Sequence, residues 1–191
     1  MPTQETPLSG LPSYTANQSL SRPPRRELAV HTFELKDAKG RPWLTLSVSS
    51  RAPSPSCIPH FYEGDEVRGV VNLNLEKEMQ VKSVTVMVHG EIIATHNVRY
   101  TFLRLTKELW SISKNSPSAS KYAEPSSKGK ISGKFSWPFS LTIPVEVDLK
   151  YQRTMQRCRL PASFYVRGAR VTIRYQVYAV VARGILQVNS E

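Results

Sequence analysis

Residues 171–181 read Val171-Thr172-Ile173-Arg174-Tyr175-Gln176-Val177-Tyr178-Ala179-Val180-Val181, with Val171, Ile173, Tyr175, Val177, Ala179 and Val181 at every second position. Successive side chains of a β-strand point to opposite faces, so a period of two sustained over this length predicts a strand with one buried face. The same rhythm appears upstream. Trp137, Phe139, Leu141 and Ile143 alternate, and Leu44, Leu46 and Val48 alternate with Thr45 and Ser47. Val67, Val71, Leu73 and Leu75 share one face, with Arg68, Asn72 and Asn74 on the other. Val84, Val86 and Val88 form a further face, and Met87 opposite them implies partial cover on that side too. No window carries an i, i+3, i+4, i+7 apolar stripe, and prolines recur between the alternating stretches. The expectation is an all-β fold, an antiparallel immunoglobulin-like β-sandwich of seven or eight strands.

The chain has 191 residues, 40% of them hydrophobic, which suits one domain with tails. Residues 1–26 are rich in proline and poor in large apolar side chains, and are read as a flexible N-terminal tail. The sandwich is expected over residues 27–188. Within it, residues 113–133 hold seven serines and four lysines and are read as a disordered loop. That composition suits phosphorylation or ubiquitin attachment, and equally an ordinary solvated loop. Met1 to Pro7 has neither a basic nor an apolar segment of a signal peptide, and no run approaches the roughly 20 apolar residues of a membrane span. An intracellular protein is expected.

The net charge of +11 is unevenly distributed. Residues 27–93 hold seven Lys/Arg against nine Asp/Glu, residues 94–134 eight against two, and residues 150–170 six against none. Such segregation makes a positive region able to attract polyanions over about a Debye length. Nucleic acid, anionic lipid and phosphorylated protein would all satisfy that field, as would solvated loops with no ligand. Lys107, Lys114, Lys150, Arg153, Arg157 and Arg159 are the candidate contacts for phosphorylated cargo or lipid. No strand shows the basic-aromatic pattern of an RNA-binding sheet and no recognition helix is visible, so no specific nucleic acid is expected. Cys57 and Cys158 are read as reduced thiols, and His31, His60, His89 and His96 lack metal spacing. No Gly-x-Ser-x-Gly or phosphate-binding loop is present, so neither catalysis nor a cofactor is expected.

Four stretches in sequence order carry a likeness to a known family. Phe61-Tyr62-Glu63-Gly64-Asp65-Glu66-Val67-Arg68-Gly69 leads into a strand, and Val81-Lys82-Ser83-Val84-Thr85-Val86 follows with Gly90-Glu91. Phe135-Ser136-Trp137-Pro138-Phe139-Ser140-Leu141-Thr142-Ile143-Pro144 is the third, and Leu160-Pro161-Ala162-Ser163-Phe164 followed by Val171 to Arg183 the fourth. Over roughly residues 27–185 the chain resembles the N-terminal domain of the arrestin family, in particular the α-arrestins or arrestin-related trafficking adaptors. Read by themselves, Gly64 and Gly69 suit a turn that enters a strand, where glycine tolerates positive φ. Arrestins have two such sandwiches, and this sequence ends a few residues after the first. The phosphate-sensing lysine pair and buried charge cluster of visual and β-arrestins have no placed counterpart.

The resemblance implies a non-enzymatic, cytoplasmic adaptor that binds cytoplasmic parts of membrane cargo and is recruited to the plasma membrane or endosomes. It also gives meaning to Leu11-Pro12-Ser13-Tyr14, which resembles the PY motif read by WW domains. Proline presets an extended backbone that docks an aromatic groove at reduced entropic cost. Leu11, Pro12 and Tyr14 would then recruit a HECT-type ubiquitin ligase, with leucine standing where the usual motif has proline.

Overall fold

A computed structural model describes residues 28–95, 98–113, 130–151 and 154–183, the side chains of residues 150 and 151 apart. Eight antiparallel strands make up the described fold: β1 (Ala29–Lys36), β2 (Pro42–Ser50), β3 (Glu66–Ala94), β4 (Arg99–Ser111), β5 (Lys130–Thr142), β6 (Glu146–Tyr151), β7 (Thr154–Arg159) and β8 (Val171–Arg183). No helix is long and apolar enough to cross a membrane among the described residues.

The architecture turns on β3, which runs for 29 residues and belongs to two layers. Its first half, through Leu75, pairs with β2 on one side and β5 on the other. Its second half, from Val81, pairs with β4 and β8. The ladder to β5 shifts register between Leu75 and Met79, where Glu76, Lys77 and Glu78 are exposed. An irregularity of this kind lets one strand turn a corner from one sheet into the facing one. β1 extends the first layer beyond β2, while β6 and β7 form a separate hairpin.

Both layers turn their apolar faces to one core. Leu44, Leu46 and Val48 from β2 meet Val67, Val71, Leu73 and Leu75 from β3, and Phe135, Trp137 and Phe139 from β5, all buried. Val84, Val86 and Val88 cover them from the second layer, with Ala179 and Val181 of β8. Phe135 and Trp137, two residues apart on one face of β5, stack with ring centroids at 5.4 Å. The predicted alternation is therefore the packing pattern, since each odd or even set fills one side of a pleated strand. Pro138 sits inside β5, which among the described residues pairs only with β3, and a strand at a sheet edge can spare the missing donor.

Gly64 has φ of 81°, the left-handed conformation expected of it. Gly69 does not need its glycine for that reason. A Cβ there would lie 2.2 Å from the Ser47 carbonyl oxygen and 2.7 Å from the Phe139 ring, so close approach of backbone and aromatic ring is what excludes a side chain. Ile131, the apolar residue near the end of the Ser/Lys-rich run, is buried in β5, so the sheet begins before that run ends.

One buried polar network ties β1 to the loop after β2. His31 Nδ1 lies 3.1 Å from the Pro55 carbonyl, which can only accept, so Nδ1 carries the proton. Nε2 then accepts from Ser50 Oγ at 2.8 Å. The same hydroxyl accepts from the Ala52 and His60 amides. Every site on the Ser50 hydroxyl is thus used. Ser50→Ala leaves the imidazole nitrogen and two amides without that partner and is expected to cost about 2–3 kcal/mol. Urea unfolding measures it, and an unchanged midpoint would mean water replaces the hydroxyl at no cost.

Candidate functional site

β1 pairs with β2 along one edge, and no strand lies beside its other edge among the described residues. Its side chains follow the same period of two, so Phe33 lies opposite Leu46 on the core side of the sheet. Leu46 is buried, yet Phe33, on a strand whose only paired neighbour among the described residues is β2, is 52% exposed. Val30 and Leu28 are also exposed. A row of ladder groups with an uncovered aromatic beside it is the arrangement to which an extended peptide can add as a further strand.

A shallow cleft opens next to the start of β1, lined by Leu28, Ser49, Arg51, Phe61, Asp65 and Arg68. Its charges are matched. Arg51 donates from Nε and Nη2 to the two oxygens of Asp65, each at 2.8 Å, and the Tyr62 amide donates to Asp65 Oδ2 at 2.9 Å. Arg68 pairs with Glu66. The Gly64-Asp65 turn is held from the other side by the Gly64 amide on the Ile143 carbonyl and the Ile143 amide on the Asp65 carbonyl. These acidic residues are structural anchors of the turn.

The Arg51 guanidinium holds the Asp65 carboxyl below its ordinary range, with the Tyr62 amide adding to the effect. A depressed folded pKa contributes stability that is whole above the unfolded aspartate value and is lost as the pH falls through the folded one. Arg51→Gln is therefore expected to flatten the acid limb of the stability–pH curve while leaving its neutral-to-alkaline shape alone. Thermal unfolding between pH 2 and pH 7 reads this; parallel acid limbs in both proteins would assign the dependence to other groups.

Of the six candidate basic contacts, the three with described side chains are divided between β4 and β7. Lys107 lies on β4 and its Nζ donates to the Ser140 carbonyl of β5 at 3.4 Å, linking the two layers. Arg157 on β7 pairs with Asp148 at 3.2 Å and Glu146 at 4.0 Å across the hairpin. Arg159 pairs with Glu63 in the turn before β3. Lys114, Arg153 and the Lys150 side chain lie outside what is described, as do Leu11, Pro12 and Tyr14. Arg157 thus shares its charge with a carboxylate 9 positions away and Arg159 with one 96 positions away; composition counted the arginines and could not see the partners.

Glu91, quoted above only as part of a family-like stretch, takes a place that its sequence context does not mark. It lies on the outward side of β3 between two neighbouring strands, opposite Arg174 of β8 and Thr101 of β4. It is only 3% exposed, accepts from Arg174 Nε, and has Arg99 Nη1 at 3.9 Å. A single glutamate in an alternating strand carries no sign that two arginines from other strands will close over it. Nearby, His89 Nε2 and Thr101 Oγ1 are 2.9 Å apart, and the His89 ring meets Tyr178 edge-on. The outer face of the second layer is therefore a belt of paired charge and polar contacts.

Among curated proteins, none matches the chain. The family model described as Arrestin (or S-antigen), N-terminal domain, matches residues 58–190, well over half of the sequence. That span takes in β3 to β8, including the corner strand and the strands that flank it on both layers. Domains of this family are non-enzymatic adaptors that bind membrane receptors or cargo in general. With its antiparallel two-layer fold and this match, the chain belongs to the arrestin family, through that family's N-terminal domain.

Proposed function

We propose that the protein is an adaptor of the α-arrestin type, a cytoplasmic protein that receives cytoplasmic segments of membrane cargo and recruits a HECT-type ubiquitin ligase for endocytosis and trafficking. The observation that carries the cargo half is the open edge of β1, with Phe33 exposed beside it. A cargo tail that adds there gains main-chain hydrogen bonds along the ladder and a pocket wall from the aromatic ring. Lys107, Lys114, Lys150 and Arg153 are the proposed cationic contacts for phosphorylated tails or lipid. Arg157 and Arg159 join them only by exchanging their carboxylates for phosphate. The ligase half is carried by Leu11-Pro12-Ser13-Tyr14.

Two measurements test these halves separately. Soluble fusions of plasma-membrane transporter tails are incubated with the full chain and with Phe33→Lys, which alters an exposed side chain. Capture by the native chain and its loss in the variant are expected; equal capture by both would remove the β1 edge. A peptide of residues 5–20 is titrated against a WW domain of a HECT-type ligase. Saturable binding that Tyr14→Ala abolishes is expected, and a flat titration would remove Leu11, Pro12 and Tyr14 from the function.

A further inference from the structure

We propose that the loop between β7 and β8, residues 160–170, is a membrane-docking tip that seats in the headgroup layer of an anionic bilayer. It deepens the adaptor reading, resting on it only for a place beside a membrane. Phe164, Tyr165 and Val166 are 45%, 80% and 53% exposed, and Val171 across the loop is exposed too. Single exposed apolar side chains are ordinary, but three in succession with a fourth beside them form a patch. Arg167 and Arg170 flank it, both exposed, with no ion pair among the described residues. From residue 149 to residue 190 the sequence has eight Lys/Arg and no acid, so nothing within that stretch neutralises them.

The loop is built, not loose. Phe164 and Ile173 exchange two backbone hydrogen bonds of 2.8 Å, and the Ala169 amide closes a turn on the Val166 carbonyl at 3.0 Å. The Tyr175 hydroxyl donates to the Pro161 carbonyl, which ties the start of the loop to β8. These bonds hold Tyr165 and Val166 outward, so little ordering is left to be done on binding.

The chemistry selects the occupant. An aromatic ring with a polar tip and short apolar side chains suit the boundary between headgroup and acyl chain, while guanidinium groups pair with lipid phosphates. Neither signal alone anchors a protein stably, and here both sit on one tip. A second copy of the chain fits poorly, because a two-fold contact through this tip would set Arg167 and Arg170 against their own images.

The test is flotation of the full 191-residue chain with phosphatidylcholine vesicles and with vesicles of equal parts phosphatidylcholine and phosphatidylserine. The native chain is expected to float with the second and not the first. Arg167→Gln/Arg170→Gln is expected to weaken that binding by about thirty-fold, since each basic side chain near an anionic surface is worth roughly a factor of five. Tyr165→Ser/Val166→Ser is expected to weaken it by about tenfold or more. Lys77→Gln/Lys82→Gln, which removes two exposed charges elsewhere on the fold, is expected to bind like the native chain, and circular dichroism should be the same for all. Failure of the native chain to float, or equal flotation of the loop variants, would overturn the proposal. So would binding of a phosphorylated peptide that needs Arg167 and Arg170 but ignores Tyr165 and Val166, which would make the loop a peptide site. Capture of transporter tails is measured on the same variants. Loss of flotation with capture retained supports a separate lipid contact, whereas capture without any native flotation sinks this proposal and spares the adaptor reading.

Discussion

Gly69→Ala is expected to lose at least about 3 kcal/mol of stability, a large share of the roughly 5–15 kcal/mol that holds a domain together. The added methyl would sit 2.2 Å from the Ser47 carbonyl oxygen, a distance no carbon–oxygen contact tolerates. It cannot be relieved by rotating a flexible side chain. Ser47 belongs to β2, whose Val48 pairs with Gly69, and Phe139 of β5 packs over the same spot. Relief therefore requires that β2 or β5 move away from β3, which opens the ladder at the middle of the first layer. Gly64→Ala provides the comparison, because there only the left-handed backbone is strained and its Cβ meets nothing closer than Val145 at 4.0 Å. Its cost should be about 1–2 kcal/mol. Urea unfolding of both variants decides between them. If Gly69→Ala were the milder change, close approach would not be what that glycine serves.

Trp137→Ala should cost about 3–5 kcal/mol, the range for deleting a buried aromatic when its neighbours relax only in part. Trp137 is buried, lies opposite Val71, and stacks on Phe135. Its ring therefore touches both the central strand and its own edge strand, and no single residue could move in to fill the space. Trp137→Phe, which keeps an aromatic stack on Phe135, should recover more than half of that loss. Thermal and urea unfolding with the far-ultraviolet spectrum as the signal would measure both. A cost below about 1 kcal/mol for the alanine variant would show that β5 contributes little to the core.

The strands were legible because each has a covered face and a wetter one. Leu44, Leu46 and Val48 are buried as their spacing predicts, and so are Val84, Val86 and Val88. The same period assigned Val171, Ile173 and Tyr175 to one face of β8, but their cover is thinner than that of Ala179 and Val181: the Phe102 ring meets Tyr175 edge-on and Phe164 bridges to Ile173. Periodicity reports which side faces inward and says nothing about how completely the other layer closes. The likeness carried by residues 61–69, 81–91, 135–144 and 160–183 identified the family, since its motifs are the turn and strand starts that fix this topology.

Charge was legible only as a sum. Counting placed six basic residues in 150–170, and folding then divided them: Arg157 and Arg159 face carboxylates, while Arg167 and Arg170 stand on an exposed tip. The burial of Glu91 between Arg174 and Arg99, and of His31 against Ser50, depended on strands that are distant in sequence becoming neighbours.

By itself, then, the order of side chains along this chain determined the class of fold, the inward face of each main strand and the turn at Gly64, because those depend on backbone geometry and on neighbours one to four residues away. Only the tertiary structure decided that β3 would serve two layers, that Gly69 would lie under Phe139, and, among the described residues, which arginines would lack an ion pair and that the edge of β1 would have no partner strand. Each of those follows from distances between segments far apart in sequence, and such distances exist only once the chain has folded.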